Sequence, residues 1–147
     1  MSEESEAELK LRALKATRAA MIAKREAEAE AAAVAAAIAD EERAIRDEGA
    51  LADAIAKHGA LGTHVDYVET TLGMIILRRP SALKFRRFQD KGSFSTDDVG
   101  GLVRPCVVHP TPSELDTILD ELPATLTRLG SKVVTLAGQR SEETGKK

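Results

Sequence analysis

From Glu3 to Lys57 Ala, Glu, Lys, Arg and Leu dominate the chain. These residues lose little side-chain freedom in a helix, so the stretch predicts one long helix. Ser2 or Ser5 is a candidate cap, and Glu3, Glu4, Glu6 and Glu8 suit the positive end of the helix dipole. Gly59 is the predicted stop. Gly49 is the internal weak point, costing about 1 kcal/mol relative to Ala, and predicts a kink or break there. Large apolar residues are sparse. Val34, Ile38 and Ile45 step by four and seven and so share a face, and Leu51 and Ile55 follow. From Ala23 to Ala37 the only large apolar residue is Val34, so that stretch can bury little area. Glu41 and Glu48 interrupt the d-like row that starts at Val34, which argues against a robust homomeric coiled coil. The pattern instead predicts a solvated helix, frayed at its start, that docks weakly on a partner. Val34, Ile38, Ile45, Leu51 and Ile55 are the candidate docking stripe.

The second half reads differently. His64 to Glu69 alternates, and Met74 to Leu77 is a short apolar run. They predict strands at about 64–70 and 74–79, with Gly73 taking positive φ in a three- or four-residue hairpin loop. Ser81 caps a helix over 82–91 that carries Leu83, Phe85 and Phe88 and stops at Gly92. Ser95 or Thr96 caps the next helix. Val99, Leu102, Val103, Cys106 and Val107 form its buried stripe, and Pro105 kinks it or ends it early. Thr111 or Ser113 caps a helix with Leu115, Ile118, Leu119 and Leu122. Pro123 starts a last helix that ends at Gly138. The predicted core includes Ile76, Phe85, Phe88, Leu102, Val103, Cys106, Leu119, Leu129 and Val133. A two-stranded hairpin is marginal alone, so it must pack on the helices or pair its edge with another chain.

Composition marks the boundary. Of the 24 alanines, 21 fall at or before Ala60, while the four aromatics lie between Tyr67 and Phe94 and all five prolines from Pro80 onward. The expected organisation is a helix over 1–58 with a break near 49, a linker over 59–63, a compact domain over 64–140 and a disordered tail over 141–147. The fold class is α+β, mostly α: a long N-terminal helix, a β-hairpin and a compact bundle of about four short helices.

Charge and cysteine count narrow the chemistry. Lys and Arg number 21 against 24 Asp and Glu, a net charge of −3, which argues against a generically basic nucleic-acid binder. One Cys excludes a disulfide framework within the chain and suggests a reducing compartment. The chain has no run of about 18 apolar residues, the length of a membrane span, and its acidic start lacks a secretion signal, so a cytosolic protein is expected.

No catalytic constellation stands out. Cys106 with His109 could suggest a thiol nucleophile, but Cys106 lies in the apolar run Val103 to Val108, where cysteine behaves as a small hydrophobe. His58, His64 and His109 lack metal-site spacing. Gly100-Gly101 suits close helix packing better than a phosphate cradle. Asp40, Glu41, Glu42, Asp47 and Glu48 read as a solvated acidic face. The expectation is no enzyme, no cofactor and no metal. Arg78, Arg79, Lys84, Arg86, Arg87 and Lys91 put six positive charges in fourteen residues, with Phe85 and Phe88 between them. Three readings compete: a nucleic-acid patch, the solvated face of an amphipathic helix, and a surface for an acidic partner helix, the chain's own N-terminal helix included. The second is favoured. Arg86 and Arg87 remain candidate partner-binding residues.

The order of segments carries a resemblance. A short apolar strand runs into RRPS (78–81), then a helix ending FRRFQDK (85–91), then LVRPCVVHP (102–110), SELDTILDELP (113–123) and VVTLAG (133–138). Over about residues 68–140 this resembles tailed-bacteriophage tail assembly chaperones, with Pro105 standing where that pattern has a small residue. The resemblance implies a non-enzymatic protein in the host cell cytoplasm. It would coat the helical, hydrophobic tape-measure protein before tail-tube subunits polymerise, and then be displaced. Tape-measure protein, tail-tube protein or both are the implied partners; self-association is an open alternative, no membrane is expected and nucleic acid is disfavoured. Two further readings are a structural virion protein, of head–tail or tail, that oligomerises permanently through the long helix, and a nucleic-acid module using 78–91.

Overall fold

The computed structural model describes residues 3–92 and 94–139, without the side chains of Glu3 and Glu4. The expected cap Ser2 and the tail 141–147 lie outside these residues, and Ser5 lies inside the helix, so it is no cap. The elements are α1 (Glu3–His58), β1 (Val65–Thr70), β2 (Gly73–Arg78), α2 (Ala82–Lys91), α3 (Thr96–Val103), a short 3₁₀ turn (Arg104–Cys106), β3 (Val107–His109), α4 (Pro112–Glu121) and α5 (Thr125–Gly138). The fold is α+β, mostly α. Two units divide the chain, Met1–Glu42 and Arg43–Lys147. In the first, every side chain from Glu6 to Glu42 is exposed.

The second unit begins inside α1, not after it. Met74 to Leu77 reads as an uninterrupted apolar run because both faces of β2 are covered. Ile75 and Leu77 enter a cluster with Val103, Leu115, Leu129, Val133 and Leu136. Ile76 turns the other way, to Val65 and to Ala54 of α1, with Ala50, Leu51, Ile55, Tyr67 and Met74 around them. Residues 43–58 of α1 thus supply the second face that a lone hairpin lacks. This also corrects the expected break: α1 continues through Gly49. Burial around Ala50 and Ala54 offsets the roughly 1 kcal/mol propensity cost of one glycine.

The sheet has three antiparallel strands in the order β1-β2-β3. Its hairpin turns on two residues, Thr71 and Leu72; Gly73, at φ 129°, opens β2 instead of lying in the loop. A side chain there would also press on Arg43 Cδ at 3.1 Å. The segment 59–63 is a turn held by its own hydrogen bonds. Gly62 N–H donates to Val65 O (2.7 Å), and Gly59, at φ 119°, packs directly under the His64 ring. The outer edge of β1 is blunted, against strand addition. Val65 N–H donates to Ala60 O (3.3 Å), Tyr67 N–H donates to Asp66 Oδ1 (2.8 Å), and Arg128 donates to Glu69 O (3.3 Å).

β3 is the element the pattern misses. The stripe Val99 to Val107 reads as one helix, yet α3 ends at Val103. Pro105 has no N–H to continue the ladder. Beyond the 3₁₀ turn, the β-branched pair Val107-Val108 leads into an extended segment that pairs with β2: Ile76 faces His109 and Leu77 faces Val107, with a register shift between them. The helix caps follow the local chemistry. Ser81, Ser95 and Thr111 accept from Lys84, Asp98 and Glu114 N–H respectively, and the Gly92 N–H reaches Gln89 O. α5 starts at Thr125, two residues after Pro123, since Leu122 to Ala124 form a turn. Gly100 and Gly101 have open space around them. The close helix approach is at Gly130 of α5, where a methyl group would meet Val99 Cγ1 of α3 at 2.9 Å. All nine predicted core residues lie in the two clusters, with Phe85 and Leu119 only partly buried.

Candidate functional site

The candidate stripe on α1 divides in two. Val34, Ile38 and Ile45 are 53%, 51% and 64% exposed, far above what a core position shows. Leu51 and Ile55 are half-buried against Ala54, Val65 and Ile76, so they serve the chain's own core and leave the stripe. The reason is sequence position: the hairpin begins only a short turn after His58, and folds back on the helix end. Leu9, Leu11, Leu14, Met21 and Ile22 are likewise exposed, which extends the apolar surface of the first unit toward its start.

The basic run is thinned by local pairing. Arg78 donates to Pro105 O (3.3 Å) and Arg79 to Ala137 O (3.4 Å), while Lys91 pairs with Asp98 at 3.0 Å. Lys84, Arg86 and Arg87 stay exposed on α2. Phe88 is buried and Phe85 packs on the core beside it, their ring centroids 6.3 Å apart. The two rings that interleave the charges in the sequence therefore face the interior. This is the geometry of an amphipathic helix with a solvated basic face.

A buried polar clasp joins α1 to the sheet. Asp47 Oδ1 lies 2.7 Å from His109 Nε2, and Asp47 Oδ2 accepts the Met74 N–H at 3.0 Å. A carboxylate oxygen accepts, so as a hydrogen bond this contact uses the Nε2–H form of the imidazole. Asp47 thus belongs to the interior and not to the solvated acidic face expected for it. Sixty-two residues separate it from His109, and no local pattern links them. Cys106 sits apart in function: its thiol donates to Leu102 O (3.4 Å), and burial pushes its pKa up, against the pull of Arg78 and Lys84. A neutral thiol held to a backbone carbonyl is a poor nucleophile. Among the described residues no group of three or more His, Cys, Asp and Glu is placed to hold a metal ion, and no helix is long and apolar enough to cross a membrane.

One feature carries no signal in the sequence pattern. Phe94, 74% exposed, leans edge-on toward Phe88 with centroids 5.4 Å apart. Together with Leu126 and Val134 they border a groove of about 520 Å³ between α2–α3 and α5. Among the described residues its lining is of apolar and hydroxyl side chains, with no ionisable group. Comparison with known proteins finds no matching family model, no matching curated protein and no matching solved structure.

Proposed function

We propose that this chain acts by binding other polypeptides during assembly, as a tail assembly chaperone of a tailed bacteriophage working in the host cytoplasm. Its clients would be the tape-measure protein, tail-tube subunits or both, and its action would involve no catalysis. The observation that supports this reading most is the α1 surface. An Ala-rich helix carries exposed Val34, Ile38 and Ile45, and its residues 43–58 belong to a well-packed unit. Small alanines permit close helix–helix approach, and sparse large residues keep each contact weak. Weak contacts repeated along a long helical client add by avidity and stay reversible, as a displaceable chaperone requires. The order of segments over residues 68–140 supports the same reading.

Co-expression with a candidate tape-measure protein tests it. The wild-type chain should raise the soluble yield of the client, and Val34→Glu with Ile38→Glu should abolish that gain. Unchanged client solubility with the wild-type chain overturns the proposal. Retention of the chain in purified particles would favour a permanent structural role instead.

A further inference from the structure

The first unit carries a pattern that its composition hides. From Leu9 to Arg25 the helix holds Lys10, Arg12, Lys15, Arg18, Lys24 and Arg25 with no acid. From Glu26 to Glu42 it holds Glu26, Glu28, Glu30, Asp40, Glu41 and Glu42 with no base. The two halves are equal in length and opposite in sign. Like charges within each half, such as Lys15 with Arg18 and Glu26 with Glu30, repel at helical spacing.

A heptad frame through Leu14 and Met21 gives this segregation a use. Its a positions are Leu14, Met21, Glu28, Ala35 and Glu42; its d positions are Lys10, Thr17, Lys24, Ala31 and Ile38. In a parallel pair, each a residue faces its own copy and each d residue likewise. Glu28, Glu42, Lys10 and Lys24 would then all meet like charge. In an antiparallel pair, a faces d. The layers become Leu14 on Ile38, Met21 on Ala31, Ala35 on Thr17, Glu28 on Lys24 and Glu42 on Lys10, each repeated by the two-fold axis. All five are complementary. Thr17 fits an apolar layer because its hydroxyl already donates to Ala13 O at 2.9 Å. Leu14, Met21 and Ile38 are 67%, 52% and 51% exposed, so these positions are open to a partner.

We propose that residues 10–42 pair with the same segment of a second copy as an antiparallel coiled coil whose register is set by the Lys24–Glu28 and Lys10–Glu42 layers. The residues that spoil a parallel heptad are the ones that select this orientation. Charged layers make the pair weak, and the attraction between its oppositely charged halves is salt-sensitive, since at 0.1 M ionic strength exposed charges more than about 10 Å apart are largely screened. This inference does not rest on the chaperone reading, and its test contains no client.

Sedimentation of the full-length chain tests it, with Lys24→Glu, Glu28→Lys and the double variant. The wild type should sediment as a dimer at low salt and shift toward monomer as salt rises. Each single variant should lose the dimer. An equimolar mixture of the two single variants should regain it, as should the double variant alone. The mixture is decisive, because each chain in it keeps two like charges four residues apart and gains only from its partner. Recovery there does not require either variant to be fully helical by itself. A wild-type monomer at low salt overturns the proposal, as do single variants that dimerise like the wild type or a mixture that stays monomeric.

Discussion

Asp47 on α1 and His109 at the end of β3 meet at 2.7 Å, and the second oxygen of the same carboxylate takes the Met74 N–H of β2 at 3.0 Å. One side chain thus ties a helix to two strands inside the second unit. Removing a buried partner leaves the other polar groups unsatisfied, at about 1–3 kcal/mol. Asp47→Ala should therefore destabilise the second unit by about 2–3 kcal/mol, since it orphans both the imidazole and an amide. His109→Ala should cost less, because Met74 keeps its acceptor. Urea denaturation of the two single variants and the double variant checks this. The double variant should be more stable than the two single losses predict by addition.

Two helical glycines should respond oppositely to the same change. Gly49 has open space around it, so Gly49→Ala should stabilise by about 0.5–1 kcal/mol through helix propensity alone. Gly130 sits against Val99, and Gly130→Ala must displace that side chain despite the same propensity gain. Thermal unfolding should show the first variant above wild type and the second at or below it.

Cys106 gives a pH signature with a defined sign. Its folded pKa is raised by burial, so the folded state holds its proton more tightly than the unfolded chain does. The associated stability is present below the ordinary thiol pKa of about 8.5 and is lost as pH rises beyond it. Wild type should lose stability between neutral pH and pH ~10 more steeply than Cys106→Ala, whose curve lacks this contribution. A thiol reagent should react with native protein far more slowly than with protein in denaturant.

Core and stripe positions should separate cleanly. Leu129, fully buried, should cost about 2–5 kcal/mol on truncation to Ala. Ile38, half exposed on α1, should change stability by no more than about 0.5 kcal/mol. Chemical denaturation measures both. Leu129→Ala would then impair everything the chain does, whereas Ile38→Ala would impair only association.

Local chemistry made most of the fold readable. Ser81, Ser95 and Thr111 announce helix starts through their own side chains, and Pro105 announces a helix end. What stayed hidden depends on contacts between distant segments. β3 is three residues long, too short to show a period, and exists because β2 offers it an edge. Leu51 and Ile55 lie six and ten residues past Ile45, off the face that Val34, Ile38 and Ile45 share, and nothing local says that the sheet covers that side of the helix end. Asp47 sits within an acidic run whose other members are solvated, and its burial follows from His109, far along the chain. The exposure of Val34 and Ile38 was legible, because both are flanked by alanines in a stretch with few large apolar residues.

Hydrogen exchange by mass spectrometry, on the full chain alone and with a candidate tape-measure segment, reports most directly on where polypeptides bind. New protection confined to residues 9–45, with the strands and α5 unchanged, is the predicted result. Protection appearing on α2–α5 while residues 9–45 exchange as before would contradict an account built on the exposed helix.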